Sequence, residues 1–176
     1  MHVTAQGYHL QYRPEEDRVL LSVDLSPQQA LSMPITRRLI RGLLDALVKV
    51  AAQQSRTPAE ASPLLRDSIL DFEHSQSVAN AVAQGNMRNV PEAKRPAEIS
   101  SLVHEIKLVN QPGGGLSLIF NNSEHLITVE VASDRIHMVI ATFVQIAERA
   151  GWEFPPVAGW LDPSAGVESA AHKSVN

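Results

Sequence analysis

The chain has 176 residues, 44% hydrophobic and 19% charged, with a formal net charge of −4. That composition is globular rather than disordered, and a chain of this length buries roughly two thirds of its unfolded surface on folding. The absence of cysteine excludes disulfides, thiolate nucleophiles, Cys-ligated zinc and iron–sulfur clusters, and the acidic balance runs against a protein held mainly by phosphate contacts.

The first residues, Met1 to Tyr8, show no basic segment followed by an apolar one, so no secretory signal is read. No stretch approaches the roughly eighteen apolar residues of a membrane span. The expectation is a soluble, cytoplasmic protein with no membrane partner.

The opening reads as strands. Tyr8, Leu10 and Tyr12 alternate with His9 and Gln11, and Pro14, Glu15, Glu16 and Asp17 make a polar turn. Val19, Leu21, Val23 and Leu25 alternate again, and Leu31, Met33 and Ile35 follow after the turn at Ser26 and Pro27. Period-two alternation between such turns predicts half-buried antiparallel strands, and Pro34 inside the third predicts an edge position. A helix capped by Thr36 comes next, with Leu39, Ile40, Leu43, Leu44, Leu47 and Val48 on one face. On the other face Arg41–Asp45 and Asp45–Lys49 stand at pairing distance in sequence.

The middle of the chain has a different character. Thr57 to Glu60 has capping-box spacing and Ser62-Pro63 offers a second start. Leu65, Ile69 and Phe72, spaced i, i+4, i+7, predict one helix from Pro63 to Gln84, ended by Gly85. Asn86 to Pro96, with two prolines and three basic residues, reads as a linker.

The opening pattern then returns. Leu102, His104, Ile106 and Leu108 alternate, Asn110 to Gly115 is a loop, and Leu116, Leu118 and Phe120 alternate before the turn at Asn121 to Glu124. Ile127, Val129 and Val131 form a third strand. Ser133 is the expected cap of a helix carrying Ile136, Val139, Ile140, Phe143 and Val144, stopped by Gly151. Laid over the opening, Tyr8-Leu10-Tyr12 falls on His104-Ile106-Leu108 and Leu21-Val23-Leu25 on Leu116-Leu118-Phe120. Leu31-Met33-Ile35 falls on Ile127-Val129-Val131, and Leu39, Leu43 and Leu47 on Ile136, Ile140 and Val144. An offset held near ~96 residues along that length indicates an internal repeat.

The expected fold is therefore α+β: two pseudo-repeated βββα units, antiparallel sheets covered by helices, with an inserted middle helix. Residues 1–56 form the first unit, 57–98 the inserted helix and linker, and 99–151 the second unit. Residues 152–176 are an aromatic, Pro-rich segment with Trp152 and Trp160, ending in a disordered tail from Ser164. The two units are expected to pack sheet to sheet, or to join edge to edge with both helices on one face.

Chemistry-bearing motifs are scarce. Arg37, Arg38 and Arg41 sit in the first turns of the first helix, where the macrodipole disfavours cations, and Arg13 and Arg18 bracket the first hairpin. Together they are a candidate site for an anion or an acidic partner; the competing account is a solvated face or pairing with Glu15, Glu16 and Asp17. The seven histidines have no metal-ligand spacing, although His125 and His137 are candidates to meet in space. Gly113, Gly114 and Gly115 lack the Lys-Ser/Thr of a phosphate loop and read as a hairpin loop. No serine nucleophile motif or carboxylate pair is found, and no cofactor or metal is expected.

The function expected is a non-enzymatic protein-interaction module, an accessory, adaptor or assembly component, with a protein partner or a homo-oligomer. Leu65, Ile69, Phe72, Trp152 and Trp160 are its candidate apolar contacts. The alternative is nucleic-acid or polyanion binding through Arg13, Arg18, Arg37, Arg38 and Arg41, which the 5% aromatic content weakens as a stacking platform. An enzyme with an unobvious acid–base site is a third reading.

Overall fold

The computed structural model describes residues 2–26, 29–55, 60–83 and 98–154. The expected linker, Trp160 and the expected disordered tail lie outside the described residues. In chain order the elements are strands β1 (His2–Thr4), β2 (Gly7–Arg13), β3 (Arg18–Ser26) and β4 (Gln29–Thr36), then helices α1 (Arg37–Gln54) and α2 (Pro63–Ala83). Strands β5 (Glu98–Ile99), β6 (Glu105–Asn110), β7 (Leu116–Asn121) and β8 (Leu126–Val131) follow, and a 3-10 turn, Ser133–Arg135, leads into helix α3 (Ile136–Arg149). The class is α+β, two βββα-like units with α2 between them.

The two sheets, each of four strands, run β1-β8-β7-β6 and β2-β3-β4-β5. Each unit supplies an antiparallel three-stranded meander, and each sheet is completed by a short parallel strand from the other unit. Strand β1 pairs with β8, and β5 pairs with β4. The chain changes sheet abruptly. Ala5 N donates to Thr128 O and Gln6 N to Asp24 O, both at 2.8 Å, so adjacent residues are bonded to different sheets. The second crossing is longer: Ser100 N donates to Ser32 O at 2.8 Å and Val103 N to Pro34 O at 3.0 Å, before His104 N reaches Asn121 O at 3.0 Å. The sheets thus neither merge nor simply stack; they exchange strands. Strands of three and two residues are too short for alternation to reveal them.

Pro34 does not mark an edge, because β4 lies between β3 and β5. The carbonyls of Ser32 and Pro34 accept from Ser100 and Val103, so the backbone of these two residues faces the crossing segment rather than β3. The ring nitrogen therefore removes no bond from the β3–β4 ladder.

The inner faces meet in one core. Val19, Leu21, Val23, Met33 and Ile35 come from one sheet and Leu116, Leu118, Phe120 and Ile127 from the other. Ile40, Leu44, Leu47, Ile136, Ile140 and Phe143 come from the helices. Burying each such side chain stabilises by roughly 1.5–3 kcal/mol. Helix α1 touches α3, β4 and β6, and α3 touches β2, so each helix of the repeat contacts both units.

The ladders correct the sequence overlay of the repeat. Leu10 pairs with Leu21 and Leu21 with Met33, while Leu108 pairs with Leu118 and Leu118 with Val129. Leu10 therefore corresponds to Leu108, Leu21 to Leu118 and Met33 to Val129. In the first two strands the overlay was slipped by two residues, a shift that preserves which face is apolar and so leaves no trace in the pattern. In the helices the overlay is out by one residue: the buried positions Ile40, Leu43, Leu44, Leu47 and Ala51 match Ile136, Val139, Ile140, Phe143 and Ala147.

Thr36 caps α1 as expected, its hydroxyl accepting from Leu39 N at 3.3 Å. Ser133 does not cap α3: it starts the 3-10 turn, whose N-cap is Ala132, with no side-chain cap bond. Gly151, at φ 65°, ends the helix, its N–H donating to Glu148 O.

Candidate functional site

The arginines are brought together in part. Arg13 stands opposite Arg18 in the β2–β3 ladder, and Arg18 opposite Thr36, the residue before Arg37. Three of the five therefore gather at one end of this sheet. Arg38 and Arg41 lie exposed on α1. At the centre of the group sits Asp17, in left-handed backbone at φ 48°, a conformation that Asp tolerates better than most residues. Its carboxylate accepts from Trp152 Nε1 at 2.6 Å and from the Tyr12 hydroxyl at 3.0 Å. These bonds, helped by Arg18 and Arg37, hold the Asp17 carboxyl below its ordinary value, and the bond to Asp17 pushes the Tyr12 hydroxyl up. Arg37 is engaged internally: its guanidinium donates to Glu153 O at 3.1 Å and lies 5.6 Å from the centre of the Phe154 ring. The expected helix pairs Arg41–Asp45 and Asp45–Lys49 do not close to salt-bridge distance.

Trp152 is a correction to the list of apolar contacts open to a partner. It is 6% exposed, edge-on to Tyr12 with ring centres 5.8 Å apart, and close to Phe154. The segment after α3 thus closes the corner between the β2–β3 turn and the start of α1.

The middle helix behaves differently. Leu70 and Ala81 are buried and Ile69 is half-buried, while Leu64, Leu65, Phe72 and Val82 are exposed by 82%, 49%, 64% and 59%. Around them the outward face carries Ser68, Ser75, Ala79 and Ala83, all exposed. The acidic Asp67 and Asp71 fall on its flank, so the outermost strip holds no charge.

Two histidine environments escaped the sequence. His125 and His137 do not meet. His125 belongs to a polar cluster that ties the second crossing segment to the β7–β8 turn. Asn122, 4% exposed, donates through Nδ2 to Ser100 Oγ and to Ser101 O, both at 3.0 Å, and its Oδ1 accepts from Glu124 N at 2.9 Å and His125 N at 2.7 Å. Ser100 Oγ lies 3.1 Å from His125 Nδ1 but donates to Glu124 Oε2 at 2.6 Å. With its one proton directed to the carboxylate, the serine is a fastener in this geometry, not a nucleophile activated by the imidazole.

His137 faces His74 across the α2–α3 contact, ring centres 5.5 Å apart. Burial lowers both pKa values; that of His74, opposed also by His137, falls to about 4. Beside this pair is a cavity of about 430 Å³ between the end of α1, α2 and the turn leading into α3. Gln54, Glu73, Gln76, Asn80, Asp134 and Arg135 supply most of its polar wall. Arg135 also lies near Tyr8, whose hydroxyl is pushed up to about 12 by burial against a smaller opposing effect of that arginine.

Among the described residues no group of three or more His, Asp or Glu is placed to hold a metal ion, and no helix is long and apolar enough to cross a membrane. Comparison with family models, with curated proteins and with solved structures finds no match for the chain.

Proposed function

We propose that this chain is a protein-interaction module and that its partner at α2 is a second copy of itself. The observation that carries the reading is the uncharged outward face of α2, with Leu64, Leu65, Phe72 and Val82 in solvent although the core is closed without them. Exposed apolar surface grouped in this way marks contact sites.

The face is self-complementary. Two copies of α2 crossing antiparallel about a twofold axis between Glu73 and His74 set Leu64 against Ala83, Leu65 against Val82, Ser68 against Ala79 and Phe72 against Ser75. Except at Leu65–Val82, each larger side chain meets a small one, the arrangement that lets helices approach closely. A helix of 21 residues is roughly 32 Å long and about 10 Å wide, which gives a footprint of only about 300–500 Å² per copy. That is below the ~800 Å² per partner of a standard interface, so the association is weak and concentration-dependent.

Sedimentation velocity between about 5 and 500 μM tests it. A monomer–dimer equilibrium is expected, shifted to monomer by Phe72→Glu and by Leu65→Glu, both at exposed positions that leave the fold intact. A monomer at every concentration, or a dimer indifferent to both substitutions, refutes the reading.

A further inference from the structure

Among the described residues the two halves of the repeat treat the same corner in opposite ways, and we propose that the one they leave open is a binding site for a small zwitterion of the free α-amino acid class. In the first unit the corner lies between the β2–β3 turn and the start of α1, and Trp152 fills it, donating to Asp17 at 2.6 Å. In the second unit it lies between the Gly113–Gly115 loop and the turn into α3. A Cβ placed on Gly114 would stand 3.5 Å from Ser133 Cβ and 4.0 Å from Gln54 Oε1, two residues of the cavity wall. The loop therefore borders the cavity as the β2–β3 turn borders Trp152. No side chain takes the place of the indole among the described residues; a space of about 430 Å³ is left, within the roughly 300–1,000 Å³ range of small-molecule sites.

Helix α2 deepens this corner into a half-open cleft. Among the described residues it has no counterpart beside the first corner, and it lays Glu73, Gln76 and Asn80 along one wall. The opposite wall carries Asp134 and Arg135 on the turn into α3, with Gln54 at the end of α1. Apolar lining is confined to Ala51, Ala81, Ile136 and Met138, so a hydrophobic ligand has little to pack against. A carboxylate, a guanidinium and neutral amides on residues that line one small volume match a ligand that carries both charges: Arg135 takes a carboxylate and Asp134 an ammonium group. The amides then serve its side chain. A purely anionic or purely cationic ligand would leave one of these charges opposed.

Thermal unfolding of the full chain with each of the twenty free amino acids at 10 mM tests the assignment. At least one is expected to raise Tm by about 3–6 °C, the shift for a ligand at tenfold its Kd in a chain of this size. Its N-acetyl and carboxamide derivatives, each lacking one charge, should bind at least tenfold more weakly by calorimetry. Asn80→Trp and Gln54→Trp, at exposed positions on the cavity rim, should each abolish the shift while leaving the unliganded Tm within a few degrees. The proposal is overturned if no amino acid raises Tm, if the singly charged derivatives bind as well as the parent, or if the shift survives in both tryptophan variants.

Discussion

Acid should loosen the contact of α2 with α3, because His74 and His137 are packed there in their neutral forms. An unfolded histidine titrates near ~6.5, whereas burial brings folded His74 down to about 4. Between these values the unfolded state binds the extra proton, so the free energy of unfolding falls as pH falls from about 6.5 to about 4, and is untouched by this group above that window. The full shift corresponds to roughly 3 kcal/mol. Part of the ring meets solvent, however, and screening reduces the expected loss to about 1–2 kcal/mol. Asp71 favours the charged form of His74 and Glu73 that of His137, both against larger desolvation; His137 contributes in the same direction. The assay is urea unfolding at pH 7.0, 5.5 and 4.5 for the wild type and for His74→Gln. Carboxylates such as Asp17 and Glu124 titrate in both proteins and cancel in the comparison. The wild type should lose about 1–2 kcal/mol more than the variant across this interval, with hydrogen exchange in residues 63–83 accelerating first. Parallel pH dependence in the two proteins would refute the burial argument.

Two further outcomes follow from the packing. Trp152→Ala should destabilise by about 3–5 kcal/mol, as an emptied aromatic core site does, while Trp152→Phe should keep most of the fold and let the Asp17 carboxyl rise toward its ordinary value, read by NMR titration. Loss of less than about 1 kcal/mol on Trp152→Ala would show that the corner collapses around the gap. Gly42 lies exposed inside α1 with nothing within 4 Å of an added Cβ, so Gly42→Ala should stabilise by about 1 kcal/mol and raise Tm by about 2–4 °C; an unchanged or lower Tm would contradict the open surroundings of that residue.

The readable parts of the fold were those with many turns of one period. Helix α1 announces itself through Thr36 and six apolar positions, and β3 through four alternating residues. What could not be read is what depends on few residues or on distant ones. The exchanged strands β1 and β5 are short, and the slip of the repeat by two residues is invisible because a strand shifted by two presents the same face. The arginine group was half legible: Arg13 and Arg18 flank one turn, so their meeting is local, but the capture of Arg37 by Glu153 and Phe154 joins segments far apart in the chain. The bond from Trp152 to Asp17 is hidden for the same reason, since Asp17 lies on the first hairpin. His74 and His137 carry no spacing that predicts their contact, and the cavity beside them is made by three helices whose mutual arrangement no local pattern encodes.

Both proposals lead to the same element. The repeated units nearly satisfy themselves: their inner faces close one core, their short strands complete each other's sheets, and Trp152 seals one of the two equivalent corners. Helix α2 belongs to neither copy of the repeat. It buries Leu70 and Ala81 against the body, and it spends its remaining sides on an uncharged outer strip and on a polar wall for the open corner. Because these two sides lie on one helix, they are linked. A ligand between α2 and α3 fixes the helix in place, and a fixed helix loses less freedom on pairing with its twin, so occupancy of the cavity should tighten the dimer. Reciprocity demands the converse: the amino acid that raises Tm should bind more tightly at protein concentrations where the dimer forms. Calorimetric titrations at about 10 and 500 μM protein measure that difference, and equal affinities in the presence of a proven dimer would show that the outer strip and the inner wall act independently.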